Sequence, residues 1–194
     1  MELQCTVYSV LLVSSSDKFN AAMTGLLPES RYRPLRIVAS ISEARRAVLE
    51  NSYDLILINT PLRDEFGTRF AGELCRGSTS GVMVFVRAEH YEDACDKLGP
   101  LGGLVICKPT GGQIVSQSLS LLCATRERLR RLEARAESLE EKMEEIRLIN
   151  RAKLLLIEQL KMTEADAHRY LEKTAMDRCV TKREIAEIVI KTYQ

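Results

Sequence analysis

The chain has no tryptophan, and aromatic residues make up only 5% of its 194 positions. That scarcity disfavours nucleic-acid recognition built on aromatic stacking platforms, as in OB-folds and RRMs. No apolar run approaches the roughly 20 residues that cross a bilayer. The start, MELQCTVYSVLLV, lacks a basic flank, so neither a membrane span nor a secretory signal is expected. Two histidines, His90 and His168, and six scattered cysteines without a CxxC pair argue against a zinc site and suit a reducing compartment. Catalysis finds no support, because no nucleophile–base pair and no glycine-rich phosphate loop stands out. The expectation is a soluble cytoplasmic protein without metal or cofactor, and not an enzyme.

What is present is ample for folding. Hydrophobic residues are 45% and charged residues 28%, which excludes global disorder. At about 100–200 residues per domain, the length suggests one full domain and something smaller. The net charge of +1 hides a gradient. Residues 1–121 hold 12 Lys and Arg against 13 Asp and Glu, residues 122–146 hold 6 against 7, and residues 147–194 hold 10 against 7. The positive excess therefore sits at the C-terminal end, a mild bias toward an anionic partner.

Residues 1–121 alternate short apolar runs with helix-length segments. Val7–Val13, Arg36–Ala39, Asp54–Ile58, Val82–Val86 and Gly103–Cys107 read as five strands. Unbroken apolar strands separated by helices indicate a parallel sheet covered on both faces. The predicted fold is a small doubly wound α/β domain.

From Gln113 onward there is no glycine or proline, so nothing punctuates a long helix. Over residues 122–146 the apolar positions follow a heptad, with Leu122, Leu129, Ala136 and Met143 at a, and Thr125, Leu132, Leu139 and Ile146 at d. Positions g and e supply Arg128 with Glu133 and Arg135 with Glu140 as opposite charges, while Lys142 with Arg147 is a mismatch. This pattern predicts a parallel coiled-coil dimer with Leu122, Leu129, Leu132, Leu139, Met143 and Ile146 as its seam. The alternative is a helix packed against its own domain.

Residues 147–194 read as three helical segments: the end of the long helix, with Ile149, Ala152, Leu156 and Leu160 on one face, and two short helices. Thr163-Glu164-Ala165-Asp166 and Thr181-Lys182-Arg183-Glu184 are capping sequences that open them. Ala167, Tyr170, Leu171 and Ala175 are expected inward on the first, and Ile185, Ile188 and Val189 on the second.

Two resemblances follow. Asp54–Asn59 with Thr60-Pro61 and Gly67, eight residues beyond Asn59, together with Cys107-Lys108-Pro109, resemble the third strand, its loop and the lysine-proline of response-regulator receiver domains. Receiver phosphotransfer needs an aspartate nucleophile and an acidic pair that helps hold Mg²⁺. The nucleophile's position holds Asn59, the pair aligns with Ser14 and Ser15, and the hydroxyl after the fourth strand is replaced by Arg87. Of the functional set only Lys108 is retained, so the resemblance implies a pseudo-receiver. Asp17, Asp64 and Glu65 are the residues from which a replacement metal site would have to be built. Lys108 either hydrogen-bonds the loop or, with Arg87, binds a small anion or a partner's side chain.

The segment Ile149-Asn150-Arg151-Ala152-Lys153, then Ala167, Ala175-Met176 and Ile185-Ala186, resembles the ANTAR domain. The family's glycine after Ala-Lys is Leu154 here. The layout of pseudo-receiver, coiled coil over 122–146 and ANTAR domain over 147–194 is similar to amide-responsive antiterminators of the AmiR type. That resemblance implies a homodimer binding paired hairpins in a nascent leader transcript and preventing terminator formation. RNA polymerase would be affected only indirectly, and input would come from a regulatory protein or ligand rather than phosphate. Phosphate contacts require cations, and the candidates are Arg151, Lys153, His168, Arg169, Lys173, Arg178, Lys182 and Arg183, with Lys153 ranked first. A dimeric protein-interaction adaptor is the alternative reading.

Overall fold

In the computed structural model, which describes residues 6–193, five parallel strands pair in the order β2-β1-β3-β4-β5. They are β1 (Tyr8–Val13), β2 (Tyr32–Val38), β3 (Leu55–Asn59), β4 (Gly81–Arg87) and β5 (Leu104–Lys108). Between them lie α1 (Asp17–Leu26), α2 (Ile41–Glu50), α3 (Thr68–Gly77) and α4 (Tyr91–Leu98). The helices α5 (Gly112–Leu160), α6 (Glu164–Arg178) and α7 (Lys182–Tyr193) complete the chain. The doubly wound α/β fold with additional helices is thus the one expected from sequence. Cys5 lies outside the described residues.

Strands β3 and β4 are almost wholly buried, because helices cover both faces of the sheet. On one face Leu11, Val13, Ile56, Ile58, Val82 and Val84 pack with residues of α2, α3 and α4. On the other, Val10, Leu12, Leu57, Met83 and Phe85 pack with Met23 of α1 and with Val115, Leu119, Leu122 and Cys123 of α5. Each large side chain buried in this way contributes about 1.5–3 kcal/mol.

Strand β2 begins at Tyr32, four residues before the expected start. It is an edge strand, and most of it is exposed or half-exposed. Pro34, which has no amide donor, is tolerated at such an edge. Gly67 precedes α3 with φ of +97°, and a Cβ there would meet Ile58 Cγ2 at 3.2 Å, so the loop after β3 requires glycine at this position.

The chain divides into two compact units, Met1–Arg130 and Arg131–Gln194. The first reaches nine residues past the expected limit at 121. The reason is packing: Leu122 and Cys123 are buried beneath the sheet, and Arg130 Nη2 lies 2.7 Å from Asp54 Oδ1.

In the second unit the core is Ala152 and Leu156 of α5, Ala167, Leu171 and Ala175 of α6, and Ile185, Ala186 and Val189 of α7. Four alanines among these eight residues let the helix backbones approach closely. Thr163 Oγ1 accepts the Asp166 amide at 3.2 Å, and Thr181 Oγ1 accepts the Glu184 amide at 3.2 Å, so both capping sequences start helices as expected. Tyr170, Ile188 and Leu160 are exposed, contrary to the inward placement expected for them. The inward face of α7 is Ile185, Ala186 and Val189, so Ala186 takes the place expected for Ile188. Helix α6 ends at Cys179, in the left-handed region with φ of +52°.

Candidate functional site

The α/β unit gathers the altered receiver positions at the carboxyl ends of its strands. Ser14 follows β1, Asn59 ends β3, Arg87 ends β4 and Lys108 ends β5. Three of them form one hydrogen-bonded chain. Asn59 Nδ2 donates to Ser14 Oγ at 3.0 Å, and Lys108 Nζ donates to Asn59 Oδ1 at 2.6 Å and to the Thr60 carbonyl. Ser14 and Asn59 are buried, so these bonds satisfy polar groups that water does not reach. Burial, then the nearby Arg87 charge, lowers the Lys108 pKa from its ordinary value.

Arg87 does not join the chain. Its side chain is 66% exposed and lies 3.8 Å from Glu89. Ser15 is half-buried and outside the chain of bonds. Asp64 faces the start of α2, where it accepts the Ile41 amide at 3.1 Å and the Ser42 amide at 3.0 Å, and Glu65 lies 3.9 Å from Arg45. These two acids are thereby committed to contacts with α2. Above the hydrogen-bonded chain opens a cleft of about 730 Å³, lined by Phe19, Ala22, Asn59, Arg87, Lys108 and Pro109 among others.

The helical unit sorts the candidate cations. Lys153 is only 17% exposed in its side chain, and its ammonium lies 3.3 Å from Glu164 at the start of α6. Lys182 bonds Glu172 on α6, and His168 lies 3.4 Å from the same carboxylate. The Lys182 ammonium, then the neighbouring His168, lowers the Glu172 pKa. Arg183 pairs with Glu187 at 3.1 Å. By contrast Arg151, Arg169, Lys173 and Arg178 are exposed, and among the described residues none of them has an ion-pair partner. Arg169 and Lys173 stand one turn apart on α6, beside Tyr170 at 41% and Met176 at 77% exposure. Tyr170 and Met176 place apolar surface on this cationic stripe.

Of the six seam residues, Leu129, Leu132, Leu139, Met143 and Ile146 are exposed along α5. Leu122 is a correction: it is buried beneath β4, close enough that a Cβ on Gly81 would meet its Cγ at 2.8 Å. It belongs to the α/β core and is unavailable to a partner. The sequence reading also missed Asp54. Its carboxylate accepts the Ser9 amide and hydroxyl at 2.9 and 3.0 Å and faces Arg126 and Arg130 of α5 at 3.7 and 2.7 Å. Only the spacing of the two arginines, one turn apart, carried any signal for it.

Comparisons with known proteins agree with both units. Residues 137–190 match the ANTAR domain, a span that starts ten residues before the expected 147. The chain is 24% identical over 184 residues to the transcriptional regulatory protein PdtaR of Mycobacterium tuberculosis, covering 94% of this chain and 89% of the relative. Solved receiver-type structures share the α/β fold. A signal receiver domain of an HD domain-containing protein from Pseudomonas fluorescens superposes with a TM-score of 0.58 at 15% identity, over 68% of this chain and 96% of that one. A streptococcal redox sensor evolved from two-component response regulators gives 0.55 at 22% identity, over 63% of this chain and 54% of that one. The chain thus joins a receiver-like α/β domain to a C-terminal ANTAR domain.

Proposed function

We propose that the protein is a response-regulator-like transcriptional regulator that binds RNA through its ANTAR domain. It recognises paired hairpins in a nascent leader transcript and prevents formation of a terminator. The observation that carries this reading is the stripe of Arg169 and Lys173 on α6, exposed and unpaired within the matched domain, with Arg151 and Arg178 as further unpaired cations. Phosphate contacts position RNA, and unstacked loop bases meet aromatic or apolar side chains, which Tyr170 and Met176 offer. The exposed row from Leu129 to Ile146 supports a homodimer, and two ANTAR domains suit two hairpins. Input does not run through phosphorylation: the position of the nucleophile is an amide bonded to Ser14 and Lys108, and an amide does not form an acyl phosphate. No helix of the described residues is long and apolar enough to cross a membrane.

The test is binding of the full chain to tandem-hairpin RNA, unstructured RNA and duplex DNA at two salt concentrations. Preference for hairpins, with affinity falling steeply as salt rises, supports the reading. Arg169→Ala/Lys173→Ala should lower that affinity by about tenfold or more and flatten the salt slope. Lys153→Ala should instead act mainly on the folding of the helical unit. A folded protein without hairpin preference turns the reading to a protein-interaction adaptor. An acyl phosphate formed with acetyl phosphate and Mg²⁺ overturns the phosphorylation-independent input.

A further inference from the structure

The cleft at the strand ends has a chemistry of its own. It lies outside the carboxyl ends of parallel strands, beside the β1–β3 switch in strand order, where open α/β sheets place their ligands. Its volume of about 730 Å³ is that of a small-molecule site. At its base is Lys108, whose ammonium has three donors. Two of them go to uncharged oxygens, the Asn59 amide and the Thr60 carbonyl. Among the described residues no carboxylate pairs with Lys108, although the side chain is half-buried. A half-buried cation without a counter-ion favours an anion beside it.

The remaining lining narrows the class. Phe19, Ala22, Ala88 and Pro109 give the cleft apolar walls, which a bare inorganic anion would leave uncovered. Arg87 already has Glu89 as its neighbour, and Lys18 is exposed to solvent, so one negative charge meets the need at Lys108. We propose that this cleft binds a small organic acid, its carboxylate on Lys108 Nζ and its apolar body along Phe19, Ala22 and Pro109. The site lies wholly within the α/β unit, so its occupancy is independent of whether the ANTAR domain binds RNA.

The full chain, isotopically labelled, would be titrated with phenylacetate and with hexanoate and followed by protein NMR. Acetate, inorganic phosphate and the neutral phenylacetamide are the comparisons. The expected result is saturable binding of both acids that shifts the amides of Asn59, Ala88 and Thr110. Acetate and phosphate should bind more weakly, and phenylacetamide should not saturate. Lys108→Met should weaken the acids by about tenfold or more. Because Lys108 also bonds the loop, Ala22→Glu serves as a second variant. It leaves the hydrogen-bonded chain untouched, places a carboxylate in the cleft and should abolish binding, with the thermal unfolding midpoint retained. Absence of saturable binding by either acid, undiminished affinity in a folded variant, or phosphate binding tighter than both acids would overturn the proposal.

Discussion

At Asp54 one carboxylate serves the Ser9 amide, the Ser9 hydroxyl and the guanidinium groups of Arg126 and Arg130, joining the start of β3 to α5. Asp54→Ala removes the carboxylate that accepts from the Ser9 amide and that ties Arg126 and Arg130 to the start of β3, while Arg130 keeps Glu127 at 2.8 Å. It should cost about 2–3 kcal/mol, read as a lower urea midpoint. Asp64 performs a related task in the open, capping the first amides of α2 from the loop after β3. The Ser42 amide and the other donors hold its carboxyl below the usual aspartate range. A carboxyl lowered in the folded state stabilises fully above its unfolded pKa, and that contribution is lost as pH falls through the lowered value. The gap in urea midpoint between the wild type and Asp64→Ala should therefore be widest at neutral pH and close as the pH is taken below about 4. Asn59 and Lys108 were legible in the sequence as departures from, and remnants of, a known loop. The two roles weighed for Lys108 in the sequence were left as alternatives, and only the folded arrangement shows it bonding the loop while also lining a cleft. Lys153, ranked first among the candidate contacts from its motif, also reaches Glu164 at the start of α6 within the same domain, a role its motif did not announce.

Among the elements, β1, β3, β4 and β5 were readable because helices cover both sheet faces and make each strand a continuous apolar run. The first half of β2 was not, since Arg33 and Pro34 interrupt the apolar run of this edge strand. Helix α5 was legible in extent and misleading in phase. Repeats of 3.5 and 3.6 residues diverge by only about 20° per heptad, so the row packed under the sheet passes smoothly into the exposed row. Leu122 was assigned to the wrong one for that reason. Its packing makes a prediction of its own. A Cβ at Gly81 would stand 2.8 Å from Leu122 Cγ and 3.1 Å from Leu55 Cδ2, and neither can shift without opening the core. Gly81→Ala should destabilise the α/β unit by about 1–3 kcal/mol, measurable by thermal or denaturant unfolding.

For the molecule as a whole, the two arrays of leucine on α5 should respond differently to the same substitution. Leu132→Lys/Leu139→Lys should halve the mass seen by light scattering while the unfolding midpoint of the α/β unit holds. Leu122→Lys should lower that midpoint through a buried charge. An unchanged mass in the double variant would refute the dimer seam. A different consequence follows from the end of α6. Cys179 is exposed, whereas Cys75, Cys95 and Cys107 are half-buried and Cys123 is buried. Limiting maleimide should therefore tag Cys179 first among these five. The left-handed residue that stops the helix thus doubles as an attachment point for a fluorophore, next to Arg178, from which the RNA binding proposed for the ANTAR domain can be tested in solution.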